Sequence, residues 1–143
     1  MLGCFKCPQV SINNAKVLNV SARSGSAFAL VGGGRVEIRS SSFFACYAGK
    51  GGAIYIENMA FEIAQSTFIG NQAERTGRAL EVNVKSIHFT IIRTSTFCRN
   101  KASEGGVIRW SNAEIRFSDL NFSENSADYG ADVASYGVAL SLA

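Results

Sequence analysis

The chain has 143 residues, enough for one domain with a buried core, and its 47% hydrophobic and 17% charged residues exclude a disordered tail. The net charge of +3 comes from Lys and Arg residues that are scattered singly, so nucleic acid is not an expected partner. No run of about 18 apolar residues occurs, which excludes a membrane-spanning helix within this chain.

Residues 1–9 are interpreted as a separate N-terminal segment that carries Cys4 and Cys7 in a C-x-x-C motif. The chain has no second C-x-x-C and no histidine pair, so no zinc site is expected. A local disulfide, or the end of a preceding Cys-rich module, is the preferred interpretation. Cys46 and Cys98 are interpreted as buried thiols. The start of the chain does not have the pattern of a secretory signal peptide, and we expect any export signal to lie outside it.

From residue 10 onwards the sequence repeats itself at intervals of about 26 residues. Four columns of the repeat keep a constant spacing from each other, which a chance match would not do. The glycine column is Gly25, Gly51, Gly77, Gly105 and Gly130, and the alanine column is Ala22, Ala48, Ala73, Ala102 and Ala127. The aromatic column is Val17, Phe43, Phe68, Phe97 and Phe122, and the asparagine column is Val20, Cys46, Asn71, Asn100 and Asn125.

Each copy contains three short stretches in which apolar residues alternate with polar ones, a pattern that is typical of strands. The first stretch follows the glycine, as in "AIYI" (53–56), "VIRW" (107–110) and "ADVA" (131–134). The second has apolar residues two apart, as in Val36 and Ile38, and the third ends at the phenylalanine. The third copy has a longer segment here, "VNVKSIHFTII", and we place Thr90 and Ile92 in the core.

A unit of this length cannot bury its apolar side alone, but stacked copies pair strand by strand. The sequence therefore predicts an all-β fold over residues 10–143, a right-handed parallel β-helix of about five coils with three short strands in each. A sandwich or barrel of hairpins would need tight Asn-Gly or Asp-Gly turns, and none occurs.

The columns have distinct expected roles in this fold. The phenylalanines are expected to stack inside, the glycines to turn the chain with positive φ, and the alanines to lie at a tight inner corner. Asn71, Asn100 and Asn125 are expected to form a ladder of side-chain amides. The ladder is not expected to extend to Cys46 and Val20, which occupy the same column in the first two copies. The apolar last stretch, "ASYGVALSLA", predicts that further coils or a cap follow in a longer polypeptide.

The pairing of "GGAI" (51–54) with "FIGN" (68–71), "FCRN" (97–100) and "FSEN" (122–125) resembles the repeats of the chlamydial polymorphic outer-membrane proteins. Similar repeats occur in other large pectin-lyase-like surface proteins. "GRAL" (77–80) and "GGVI" (105–108) differ from the motif by one residue, and the resemblance covers residues 10 to about 134. It implies an exported passenger or ectodomain used in adhesion, at the cell surface or secreted, and in the outer membrane if the source is bacterial. The implied partners are a host or cell-surface protein or carbohydrate, and further coils of the same polypeptide.

No catalytic, cofactor-binding or metal-binding residue is predicted, and no cofactor is expected. Enzymes on this fold cleave acidic polysaccharides with clustered aspartates, and we keep open the alternative that the chain is a scaffold segment of such an enzyme. The three aspartates are Asp119, Asp128 and Asp132, and the single histidine, His88, has no evident catalytic partner.

Outward positions of the first strand are predicted to be Ala29, Tyr55, Glu81, Arg109 and Val133. We interpret this column as a solvated face with a cross-strand pair between Glu81 and Arg109. A second outward face carries hydroxyl groups, at Ser40 and Ser42, Gln65 and Thr67, Thr94 and Thr96, and Asp119 and Asn121. Ice binding by this face is a minor alternative. Asn19 and Asn121 match the sequon for N-glycosylation.

Overall fold

The computed structural model describes residues 2–77, 79–84, 90–112, 114–128, 132–136 and 141–142. Over these ranges the chain forms an all-β solenoid in which each strand pairs in parallel with the equivalent strand of the next coil. The predicted fold class is confirmed, while the right-handed sense of the coil stays a prediction.

The described strands lie in four parallel sheets, which we call sheets A to D in the order in which the chain visits them. Sheet A contains β1 (Leu2–Phe5), β5 (Phe28–Val31), β9 (Ile54–Glu57), β13 (Leu80–Asn83), β17 (Ile108–Ser111) and β20 (Val133–Tyr136). Sheet B contains β2 (Gln9–Asn13), β6 (Arg35–Arg39), β10 (Ala60–Ala64), β14 (Thr90–Arg93), β18 (Arg116–Ser118) and β21 (Ser141–Leu142). Sheet C contains β3 (Lys16–Leu18), β7 (Ser42–Phe44), β11 (Thr67–Ile69), β15 (Thr96–Cys98) and β19 (Asn121–Ser123). Sheet D contains β4 (Ser21–Ser24), β8 (Tyr47–Lys50), β12 (Gln72–Thr76) and β16 (Lys101–Glu104).

Sheet D corrects the prediction of three strands per coil. The repeated alanines lie within its strands and not at a corner between strands, with Ala48, Ala73 and Ala102 buried. The alanine is the only buried residue of β8 and β16, and β12 buries Thr76 besides its alanine. Alternation of apolar and polar residues is therefore too weak to reveal the strand in the sequence.

The core fills the space between the sheets with inward columns of apolar side chains. The side chains that sheet A buries include Ile54, Leu80 and Ile108, and those of sheet B include Ile38, Ile63 and Ile92. Each such side chain contributes about 1.5–3 kcal/mol through the apolar area that it removes from water. Thr90 and Ile92 are buried, which confirms the core assignment made for the irregular third copy.

A residue in the left-handed conformation turns the chain at equivalent corners of successive coils. Between sheets B and C these residues are Asn14, Ser40, Gln65, Thr94 and Asp119, and between sheets C and D they are Asn19, Ala45, Gly70, Arg99 and Glu124. Most of them are not glycine, although the left-handed region costs an L-residue about 1 kcal/mol or more. Coil packing therefore fixes these corners against a local preference.

The N-terminal segment takes part in the solenoid. Leu2–Phe5 pairs in register with Phe28–Val31, so part of the segment 1–9, which the sequence analysis sets apart, contributes a strand to sheet A. Cys4 and Cys7 form a disulfide across the turn that follows β1, in agreement with the preferred interpretation of the C-x-x-C motif.

Candidate functional site

The predicted aromatic column forms a continuous stack along the inside of sheet C. Phe43, Phe68 and Phe97 lie with neighbouring ring centroids 4.8 Å apart, and Phe122 continues the stack at 5.3 Å. The ring planes deviate by only 4–17° from parallel. The spacing equals the distance between paired strands, so the sheet itself sets the stacking distance.

The predicted asparagine ladder is present, and its bonds run from coil to coil. The side-chain amide of Asn100 donates to the Phe68 carbonyl at 3.0 Å, and its Oδ1 accepts the backbone N–H of Asn71 at 3.0 Å. Asn71 and Asn125 repeat the pattern, and Asn71 Oδ1 accepts the backbone N–H of Cys46 at 3.1 Å. Each amide therefore satisfies backbone groups of the coil before it.

A second polar ladder, of serines, lies at the corner between sheets B and C, and the sequence analysis does not assign it. The hydroxyl of Ser66 accepts the backbone N–H of Ser41 at 3.3 Å and donates to the Ala64 carbonyl at 2.9 Å. Ser95 bonds to Ser66 in the same way, at 3.1 Å. The signal was the serine two residues before the phenylalanine in "SSF" (41–43), "STF" (66–68) and "STF" (95–97).

The predicted turn glycines adopt positive φ wherever they fall in the described residues. The angles are 52° at Gly25, 55° at Gly51, 60° at Gly77 and 65° at Gly105, while Gly130 lies outside the described residues. At Gly51 a Cβ would also collide with the Ile54 carbonyl oxygen. Glycine is needed there for both its conformation and its lack of a side chain.

The outward column of sheet A contains the predicted pair. Glu81 is buried and accepts a bond from Arg109 at 3.1 Å and another from the Thr76 hydroxyl. Beside Glu81 in the register lies Tyr55, whose hydroxyl donates to Glu57 at 2.8 Å. Burial, followed by that hydrogen bond, raises the pKa of Tyr55 above its ordinary range, so the phenol stays protonated.

The prediction that Val133 belongs to this outward column is wrong. Val133 pairs with Ile108 and packs against the core, whereas Ala134 pairs with Arg109. The predicted strand "ADVA" (131–134) was therefore one residue out of register with "VIRW" (107–110). A register shift of one residue moves every side chain of a strand to the opposite face of the sheet. Val133 therefore lies on the inward face.

A charged network that the sequence analysis missed lies on the outer face of sheet B. Glu62 is buried, and its carboxylate contacts Arg93 at 2.9 Å, Arg39 at 3.1 Å and Arg35 at 3.6 Å. Arg35 also contacts Glu37 at 3.1 Å. The three arginines lie 23 to 31 residues from Glu62 in the sequence, so only the register of the sheet reveals the network.

A groove of about 570 Å³ runs between sheets D and A. Its charged lining comes from successive coils and includes Arg23, Lys50, Arg75, Glu57 and Glu74, with Tyr55 beside them. In β12, residues 74 and 75 together face the single residue 49, an irregularity that bends the strand at the groove. The groove is thus mixed in charge, with one aromatic side chain.

The hydroxyl-rich face belongs to sheet C. Ser42, Thr67 and Thr96 pair in register, with Asn121 exposed at the next position. The sequon residue Asn19 is exposed at a corner, and glycosylation at Asn19 and Asn121 stays a prediction. Asp119 lies at a corner with φ 53°, and Asp132 accepts a bond from Asn125 at 3.1 Å. His88 lies outside the described residues.

The two thiols differ in environment. Cys46 is fully buried, as predicted, and burial raises the pKa of its thiol. Cys98 is only partly buried, because it lies on the outward side of β15. Within the described ranges, no group of three His, Cys, Asp or Glu side chains is placed to hold a metal ion. The described part of the chain also has no helix long and apolar enough to cross a membrane.

Fold and side-chain geometry together define a parallel β-solenoid with regular interior ladders and four differing outer faces. Comparison of the chain with protein-family models, with curated proteins and with solved structures finds no match.

Proposed function

We propose that this chain is a non-catalytic β-solenoid segment of a large cell-surface or secreted protein, with a structural and adhesive role. The observation that supports this most is the contrast between interior and exterior. Equivalent inward positions repeat the same residue types, whereas equivalent outward positions differ from coil to coil, as in Tyr55, Glu81 and Arg109. A rigid interior with varied outer columns is suited to the presentation of binding surfaces along a rod.

The expected environment is extracellular, or the outer membrane if the source is bacterial. The disulfide between Cys4 and Cys7 supports this placement, since such bonds persist in oxidising compartments and are rare in the cytosol. The partners we propose are a host or cell-surface protein or carbohydrate, together with further coils of the same polypeptide.

Binding of the purified chain to cells or to extracellular matrix tests the proposal. The matched variant exchanges outward residues of the strands among one another and keeps every inward residue, so composition and core are unchanged. Circular dichroism and thermal melting verify that it folds. We expect the native chain to bind and the exchanged variant to bind much less. Equal binding by the two would contradict an adhesive role of the outer faces.

A second candidate function is a scaffold segment of a polysaccharide-degrading enzyme whose catalytic residues lie outside this chain. The groove between sheets D and A favours it, because Arg23, Lys50 and Arg75 offer cations beside an aromatic ring. Incubation of a longer form of the polypeptide with polyuronides would yield new reducing ends or an unsaturated product. The absence of product across a broad panel would reject this candidate.

A further inference from the structure

The outer face of sheet B carries four arginines on three strands. Arg35 and Arg39 lie on β6, Arg93 on β14 and Arg116 on β18. Arg39 and Arg93 occupy one column with Ala64 between them. Because paired strands are about 4.8 Å apart, their backbones lie about 10 Å from each other. The sheet thus presents arginines from three different coils on one outer face.

The carboxylate of Glu62 contacts three of these arginines, Arg35, Arg39 and Arg93, and holds them in place. Its side chain is 10% exposed, whereas those of Arg35, Arg39 and Arg93 are 43%, 39% and 37% exposed. The solvent therefore meets guanidinium groups in the middle of the face. Four carboxylates belong to the face or its edges, Glu37, Glu62 and the exposed Glu114 and Asp119, so the formal charges cancel, 4 − 4 = 0. Since the Glu62 side chain is only 10% exposed, the groups that meet the solvent are four arginines and three carboxylates.

Each guanidinium has five N–H donors in a rigid fork that matches a carboxylate or a sulfate. Arg93 uses donors at Nε and Nη2 on Glu62, and Arg39 uses one at Nη2. Both side chains keep more than a third of their surface in solvent, where the other donors are available to an anion. Glu62 reduces the entropic cost of binding, because it already fixes the arginine side chains.

The form of the face indicates which anion it suits. It is a sheet surface, and its described outward side chains include no aromatic ring on which a nucleic-acid base would stack. A linear polymer with several charged groups can contact arginines that lie on different coils of the solenoid. Sulfate and uronate groups on a polysaccharide chain supply that pattern.

We propose that the outer face of sheet B binds an anionic polysaccharide through Arg39, Arg93 and Arg116, with Glu62 as the residue that positions the first two. The inference rests on the proposed adhesive function and names the ligand class for one of its faces. A purely structural role for the network predicts no binding that depends on this face.

The test measures the affinity of the purified chain for heparin, a sulfated polysaccharide, and for polygalacturonate, a carboxylated one, at several salt concentrations. Arg116→Gln lies outside the Glu62 network and is expected to weaken binding about threefold without loss of fold. The double variant Arg39→Gln/Arg93→Gln is expected to weaken it about tenfold or more and to reduce its salt dependence. Glu62→Gln removes the carboxylate that positions Arg39 and Arg93 and is expected to weaken binding about threefold, whereas binding that followed charge alone would strengthen, because a negative charge is lost.

Matched controls lie on sheet A, where Arg109 and Glu81 form an ion pair of the same kind. Arg109→Gln and Glu81→Gln change the net charge as the sheet B variants do, and their affinities are expected to stay within twofold of the native chain. Thermal melting identifies any variant that has unfolded. If the double variant unfolds, the affinity of Arg116→Gln is compared with that of Arg109→Gln instead. Equal losses on the two sheets would overturn the proposal, because binding would follow net charge alone.

Two further outcomes also overturn it. One is the absence of binding to either polysaccharide, and the other is tighter binding to a single-stranded oligonucleotide than to both. A chain that binds cells but neither polysaccharide would reject this inference and leave the adhesive function standing. A chain that binds heparin through sheet B yet shows no affinity for cells or matrix would support the site and reject the adhesive function.

Discussion

The inward and outward columns of sheet C lie one residue apart in the chain, yet they differ in almost every physical respect. Phe68 is fully buried between Phe43 and Phe97, with 4.8 Å between ring centroids on each side. Its neighbour Thr67 is partly exposed and lies in register with Ser42 and Thr96. An inward residue thus depends on the coils on both sides, whereas an outward residue is free to differ from coil to coil.

The same contrast holds for polar groups. Asn100 is buried and bonded to residues of both neighbouring coils. In the serine ladder, the buried Ser66 likewise bonds to Ser95 of the next coil. On the outer faces, polar groups form either local pairs, such as Tyr55 with Glu57, or ion pairs between coils, such as Glu81 with Arg109, which do not repeat along the solenoid. The repeated polar bonds that stabilise the fold therefore lie in the interior columns, and the outer faces are free to vary.

The largest expected difference is between Phe68→Asp and Thr67→Asp. Phe68→Asp removes an aromatic ring from the stack and places a charge in the core, at a cost above about 5 kcal/mol, which is enough to unfold the chain. Thr67→Asp is expected to change the free energy of unfolding by less than about 0.5 kcal/mol. Urea unfolding followed by circular dichroism measures both. Similar effects of the two variants would refute the assignment of inward and outward faces.

A smaller difference is expected between Asn100→Ala and Asn121→Ala. Loss of the Asn100 side chain removes its bond to the Phe68 carbonyl and leaves the buried Asn71 N–H without its Oδ1 acceptor, at a cost of about 1–3 kcal/mol. Asn121 is exposed on β19, so its truncation is expected to cost less than about 0.5 kcal/mol. Chemical denaturation of the two variants provides the comparison. A cost for Asn100→Ala below 1 kcal/mol, as an order-of-magnitude bound, would show that the ladder contributes little.

The interior of the fold was predictable from sequence because it repeats. Phe68 and Asn100 fall in columns of like residues at constant spacing, and stacking of equal coils brings like residues together. Sheet D was not predicted because its strands bury little beyond alanine methyl groups. Val133 was assigned to the wrong face because the last copy has few repeated residues that fix the strand register. The cluster around Glu62 was missed for the opposite reason. Its members do not repeat, and only the strand register shows which outward residues meet.

Gly51 and Gly70 separate the effect of backbone conformation from that of coil packing. Both have positive φ, 55° and 64°, but a Cβ at Gly51 would meet the Ile54 carbonyl while one at Gly70 would have nothing within 4 Å. Gly70→Ala is expected to cost about 1 kcal/mol from conformation alone, and Gly51→Ala about 2 kcal/mol or more because the collision adds to it. Urea midpoints of the two variants measure the difference. Equal costs would mean that the interior tolerates a methyl group at this turn.

The smallest effect concerns an outward group, the phenol of Tyr55. Its pKa is raised in the folded chain, first by burial and then by the hydrogen bond to Glu57, so the folded state holds the proton more tightly than the unfolded state does. The resulting stabilisation is complete below the unfolded pKa of about 10 and is lost as the pH rises above it. At about pH 10.5 we expect this loss to be near 0.5 kcal/mol, since partial exposure of the ring screens the interaction. Urea unfolding of the native chain and of Tyr55→Phe at pH 8 and at the higher pH measures the loss, which the variant is expected to show less strongly. The same pH dependence in both proteins would assign the effect to other groups and leave Tyr55 with no role in stability.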